Sequence, residues 1–195
     1  MAKAAVVFHS VCGNVYQMAS CLTEALRGCG IEADLFRVED ETFDEVSLRF
    51  EASREFREDI QKIPVIHSGE DVIGYDALFL GSPTYFGGVS AQMKRFMDSF
   101  CDLWAQARLA GMYFACFTSS GTASGGTQMC LQSMNVFAQH MGMRLIAVPC
   151  SLGGAPQPAY GLEHISGPTS QIRMNDVCRM AIREFAGYAA DMIKK

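Results

Sequence analysis

The chain alternates between short apolar runs and longer stretches in which apolar residues return every three or four positions. The runs fall at Ala4–Phe8, Glu32–Val38, Ala77–Leu80, Tyr113–Thr118 and Arg144–Val148. Each has the length and the apolar, β-branched or aromatic character of a strand. Between them, Val15, Met18, Ala19, Leu22 and Leu26 share one helical face, as do Met93, Phe96, Met97, Phe100 and Trp104. Cys130, Met134, Phe137 and Met141 repeat the pattern, and so do Val177, Ala181, Phe185, Tyr188 and Met192. Parallel strands need crossovers, and crossovers lay helices on the sheet. The alternation predicts an α/β fold: a doubly wound, five-stranded parallel sheet with helices on both faces, in a single domain over residues 1–195.

Two segments stand apart. Cys150–Ile172, CSLGGAPQPAYGLEHISGPTSQI, is rich in glycine and proline and reads as one long loop, a length that compact domains rarely carry without a use for it. The net charge of −5 arises in segment 39–62, where nine acidic residues face four basic ones, while the remainder is balanced. No basic face for nucleic acid is expected, and the acidic segment reads as a solvated connection. The eight cysteines contain no C-x-x-C pair and none stands at zinc-ligand spacing from a histidine, so no metal site is predicted. No apolar run approaches the roughly 20 residues of a membrane span. Without a signal peptide, the expected setting is the cytoplasm, with reduced cysteines.

In doubly wound sheets, ligands bind beyond the carboxyl ends of the strands. Three loops fall there. The first, in VVFHSVCGNV, offers the Ser10 hydroxyl, the close turn of Gly13, and Asn14 leading into a helix. It lacks both G-x-G-x-x-G and a P-loop lysine, so its reading is a phosphate monoester on free helix amides, or an ordinary turn with Asn14 as N-cap. The second, Gly81-Ser82-Pro83-Thr84-Tyr85-Phe86-Gly87-Gly88, presents two aromatics to a flat ring. The third, Thr118–Gln128, is rich in hydroxyls and glycine and opens another helix.

The order S-x-x-G-N, S-P-T-Y-F-G-G-x-S-x-Q-M-K, S-S-G-T-x-x-G-G-x-Q and A-Q-H-M-G resembles the flavodoxin-like NAD(P)H:quinone oxidoreductases of the WrbA type. The resemblance implies FMN, with its phosphate on Ser10, Gly13, Asn14 and Val15. It implies a ring bordered by Pro83, Thr84, Tyr85, Phe86 and Gly87, and a third wall of Ser119, Gly121, Thr122 and Gly125. His140 would lie beside the flavin pyrimidine edge and Trp104 would wall the substrate pocket. The implied reaction passes two electrons from NADH or NADPH to a small quinone by a ping-pong route through one slot. The implied assembly is a homo-oligomer, a tetramer built as a dimer of dimers, in which Gly153–Gln171 helps complete a neighbour's pocket. This chain departs from many relatives in carrying Cys101-Asp102-Leu103 before the tryptophan.

Read from the residues alone, Trp104 and His140 fit helix packing as well as a site. Cys12 is either a spacer or a thiol of lowered pKa beside a helix N-terminus. His9 is either a loop residue or a cofactor contact. The rival activity is a flavodoxin-type FMN electron carrier docking through an acidic surface.

Overall fold

A computed structural model describes residues Met1–Lys195. The strands are β1 (Lys3–Phe8), β2 (Glu32–Val38), β3 (Val65–Ile66), β4 (Ala77–Pro83), β5 (Tyr113–Ser120), β6 (Arg144–Leu145) and β7 (Leu162–Ile165). The helices are α1 (Asn14–Gly28), α2 (Phe43–Val46), α3 (Glu51–Arg54), α4 (Arg57–Lys62), α5 (Ala91–Asp98), α6 (Cys101–Ala105), α7 (Thr127–His140) and α8 (Asp176–Ile193).

The sheet runs β3-β2-β1-β4-β5-β6 and every named pairing is parallel. Alternate residues of β1 feed opposite cores. Ala4, Val6 and Phe8 pack with α1 and α8, whereas Ala5 and Val7 pack with α5 and α7. Both faces are therefore buried, which is why β1 reads as a continuous apolar run rather than an alternating one. At the end of β4, Gly81 gives way to a neighbour. A Cβ there would sit 2.1 Å from the Phe117 ring of β5, so only glycine lets these two strands lie flush.

The expected five strands are corrected to seven strand segments. Two-residue β3 extends one edge, and the predicted fifth strand is split: β6 pairs with the start of β5 and β7 with its end. Arg144–Val148 is thus strand only at its first two residues. The missing half of the position comes from inside the presumed loop, where Leu162 and His164 are buried and pair beside Phe117 and Ser119. An insertion of this kind hides a strand because its apolar content is diluted by the glycines and prolines around it.

Two further expectations change. The single helix through Trp104 is broken at Ser99–Phe100 into α5 and α6. The Ser99 hydroxyl donates to the Phe96 carbonyl at 2.6 Å and accepts the Gly69 amide at 2.9 Å, an alternative to the helical ladder. The break turns Trp104 outward, 58% exposed, while Phe100 stays buried. The acidic segment, in turn, is more than a solvated connection. It carries α2, α3 and α4 and seats Phe43, Ala52 and Ile60 in the interior. On α8, the buried stripe runs through Ala181, Phe185 and Ala189, leaving Val177 and Tyr188 outside it.

Candidate active site

At the carboxyl ends of β1, β4 and β5 the chain forms an open cleft. Its walls hold Ser10, Asn14, Val15, Pro83, Thr84, Tyr85, Ser119 and Gly121 from the three loops singled out by sequence. Val11, Cys12, Ser120, Ser166 and Ser170 complete it.

The first wall is a helix start without a side-chain cap. Gly13 occupies the N-cap of α1 in the left-handed region, φ 86°, and no side chain bonds the first amides. Asn14 is therefore not the cap. Its amide donates instead to the Ser170 carbonyl at 2.9 Å, tying α1 to the loop that covers the cleft. The uncapped amides and the helix dipole make this end a seat for an anion. Behind it, a Cβ on Gly13 would lie 2.3 Å from the Phe56 ring, so the acidic segment backs the turn.

The second wall is set by β4 and its turn. Thr84 donates its amide to the Ser119 carbonyl at 2.8 Å, and its hydroxyl meets that of Thr118 at 2.8 Å. Tyr85 and Gly88 close the turn by exchanging backbone bonds. Tyr85 lines the cleft with about half of its surface exposed, and partial desolvation of its hydroxyl, with Cys12 and Asp40 nearby, holds it above the ordinary value. Phe86 does not line it: at φ 53° its ring is fully exposed. Gly87 packs toward Met129 and Gly126 instead.

In the third wall, Ser119 is 6% exposed and its hydroxyl has no hydrogen-bond partner. A buried orphan hydroxyl lining a cleft is a vacancy in the hydrogen-bond accounting, which a ligand can fill. The Ser120 hydroxyl donates to the Thr122 carbonyl at 2.7 Å, so Thr122 and Gly125 shape the turn without lining the cleft. The cover is the end of the long segment. Ser166 bonds the Ser120 carbonyl through both amide and hydroxyl, at 2.8 and 3.0 Å. Gly167 lies against Gly121. Within its own chain, the segment Gly153–Gln171 supplies Ser166 and Ser170 to the cleft and seats Gly154 against α8.

Cys12 and His9 resolve differently. Burial pushes the Cys12 thiol up, more than Ser170 and Arg173 lower it, so it is a neutral spacer rather than a thiolate. His9 is buried behind the turn, where its Nε2 meets Asp40 Oδ2 at 3.0 Å. Burial alone would raise the Asp40 carboxyl. The His9 ring, both donors of Thr42 and the Gln92 amide more than offset it and hold the group well below the usual carboxylate range.

Trp104 and His140 come together, but elsewhere. With Met97, Asp98, Phe100, Cys101, Phe137 and Met141 they line an apolar depression between α5–α6 and α7, sharing no residue with the cleft. Of the cleft residues that sequence reasoning did not name, Val11 and Ser120 lie inside loops it had singled out, whereas Ser166 and Ser170 sit where glycine and proline masked a strand and its turn.

The cleft suits FMN in its donor set: free helix amides for a phosphate, an orphan hydroxyl, and a tyrosine beside a rigid proline turn. Residues 6–155 match the family model described as NADPH-dependent FMN reductase. Over its whole length the chain is 32% identical to an NAD(P)H dehydrogenase (quinone) of Chromohalobacter salexigens, covering 98% of that protein. It is 32% identical to one of Methanosarcina barkeri, covering 100% of this chain and 98% of the relative. Among solved structures, a flavodoxin, WrbA-like protein from Agrobacterium tumefaciens superposes with a TM-score of 0.70 at 20% identity, covering 100% of this chain and 98% of the other, and shows the shared fold.

Proposed function

Because this chain belongs to the family of NADPH-dependent FMN reductases, we propose that it is an FMN-dependent oxidoreductase passing two electrons from NAD(P)H to a quinone. The observation that carries the reading is the cleft itself, an uncapped helix start and an orphan Ser119 hydroxyl converging at the carboxyl ends of three parallel strands. The bound flavin supplies hydride and electron transfer.

The chain's own residues bind, orient and exclude water. Ser10, Gly13, Asn14 and Val15 form the phosphate turn. Pro83, Thr84 and Tyr85 border the ring directly, with Phe86 and Gly87 extending that border outward. Ser119 and Gly121 form the third wall, which Thr122 and Gly125 support from behind. Ser166 and Ser170, tied to Ser120 and Asn14, close the cleft over the phosphate turn.

We assign Trp104 and His140 to a surface that a second copy of the chain brings to the cleft, in a homo-oligomer arranged as a tetramer. The support is exposure: Trp104, Met129 and Val136 are 58, 69 and 49% exposed on α6 and α7, and Phe86 stands fully in solvent. Apolar side chains gathered in this way mark a contact surface. One slot that admits nicotinamide and then quinone makes the reaction ping-pong. A cytoplasmic setting accords with eight free cysteines.

The test is titration of flavin-free protein with FMN, followed by NADH with and without a benzoquinone. Quenching near one equivalent, bleaching by NADH and recovery with the quinone are expected. Binding of FMN with very slow reduction by either nicotinamide hands the protein to the electron-carrier class.

A further inference from the structure

Arg173 belongs to none of the motifs above, yet its guanidinium joins three separate parts of the chain. Nη1 donates to the Cys12 carbonyl at 2.7 Å, the Ser170 carbonyl at 3.1 Å and Asn14 Oδ1 at 3.2 Å. Nη2 donates to the Ala52 carbonyl at 2.7 Å, and Nε to Glu55 Oε2 at 3.0 Å. Its Cζ lies 4.9 Å from the centre of the Phe56 ring, against which Gly13 rests. The side chain is 20% exposed, whereas a solvated surface arginine would not converge on three backbone carbonyls.

The contact with Cys12 has a geometric result. In a trans peptide the carbonyl and the following amide point in opposite directions. The chain has no cis peptide, so holding the Cys12 carbonyl against Arg173 turns the Gly13 amide away from the guanidinium. The fork shape matters more than the charge, because Glu55 already pairs with that charge at 2.8 Å.

We propose that Arg173 is the positioning residue of the phosphate turn: it pins the Cys12 carbonyl so that the Gly13 amide meets the FMN phosphate, and it locks the covering loop through Ser170 and Asn14. This rests on the FMN reading of the cleft. It also gives the acidic segment a role, since Ala52, Glu55 and Phe56 brace the guanidinium from behind.

The experiment compares FMN with riboflavin, which has the same ring and no phosphate, on the wild-type chain, Arg173→Lys and Arg173→Met. Both are followed by flavin fluorescence, with a melting curve for each variant. Both variants should lose about tenfold or more in FMN affinity, the worth of one or two hydrogen bonds, and change riboflavin affinity by less than about twofold. A parallel fall for both ligands makes Arg173 a general strut and overturns the proposal, as does an unchanged FMN affinity. Should Arg173→Met not fold, Arg173→Lys decides by the same criterion, since lysine keeps the charge but not the fork. A wild-type chain that binds neither flavin sinks the cofactor reading itself, a failure visible without any substitution.

Discussion

Two hollows of the molecule are built on opposite terms. The cleft at the strand ends is polar and tied together across long sequence distances, Asn14 to Ser170 and Arg173 to both Cys12 and Ala52. The depression beside α7 is apolar, floored by Phe100 and Phe137 in edge-to-face contact at 5.2 Å, and open at Trp104. The lining of the first comes from one chain and includes the unpaired Ser119 hydroxyl. The second leaves its largest side chain in water, a cost that burial against a partner removes. Residues implied to act at one flavin thus divide between the cleft wall and a separate apolar surface.

The comparison breaks most sharply at Gly13. A valine there meets a left-handed φ of 86° and the Phe56 ring at 2.3 Å, so the turn and its backing must both move. FMN affinity should fall by about a hundredfold or more, since strain of roughly 1 to 3 kcal/mol adds to the lost amide contacts. Retained affinity would remove the phosphate turn from this loop. The depression should be unaffected, so sedimentation of Gly13→Val should match the wild-type chain.

Next comes the pair that braces the same wall. Asp40→Ala removes the hydrogen-bond partner of buried His9 together with the acceptor of Thr42 and Gln92, and should cost about 1 to 3 kcal/mol in urea unfolding at neutral pH. The sign with pH follows from the direction of the shift. The folded carboxyl is held below its unfolded value of about 4, so its contribution is fully present above that pH and fades as pH falls through the acid range toward the folded value. Unfolding midpoints measured from pH 6 down to pH 3 should show a steeper acid slope in the wild-type chain than in Asp40→Ala. Equal slopes would place the pair outside the cooperative structure.

How much of this was legible in the sequence depended on which force placed each residue. The apolar runs of β1, β4 and β5 and the buried stripe of α1 follow from the apolar pattern, because burial sets them. The first three loops follow from turn chemistry at strand ends. Three things did not follow. Strand β7 was hidden because Leu162-Glu163-His164-Ile165 is a short alternating run inside a glycine- and proline-rich setting. Trp104 was misplaced because Ser99 breaks the helix through side-chain bonds that periodicity does not register. Arg173 carried no local signal, since its partners at Cys12 and Ala52 lie more than a hundred residues away.

Ser119 separates the two hollows with effects of opposite sign. In flavin-free protein its buried hydroxyl is unpaired, so Ser119→Ala should raise stability by about 1 kcal/mol, and the same change should weaken FMN by up to about tenfold if the flavin is the missing partner. Paired measurements of melting and fluorescence quenching check this. A loss of stability without flavin would mean that the hydroxyl already has a partner and the cleft has no vacancy there.

The smallest change in chain stability is expected at Trp104, and there the contrast between the hollows is tested most directly. A large aromatic packed in a core costs roughly 3 to 5 kcal/mol when cut to alanine, whereas an exposed one costs within about 0.5. With Trp104 58% exposed, the second figure should hold for unfolding measured at concentrations where the chain is a monomer. Self-association should weaken, because aromatic side chains gathered on a contact face carry much of its energy. FMN should still bind, since the cleft walls contain no part of α6. Turnover with NADH and benzoquinone should fall for both substrates together, and the double-reciprocal lines of the wild-type chain should run parallel, as a shared slot requires. Trp104→Ala that assembles and turns over like the wild-type chain would leave the depression a mere surface hollow. A loss of several kcal/mol with assembly intact would instead return Trp104 to the core, and the two hollows would no longer be halves of one site.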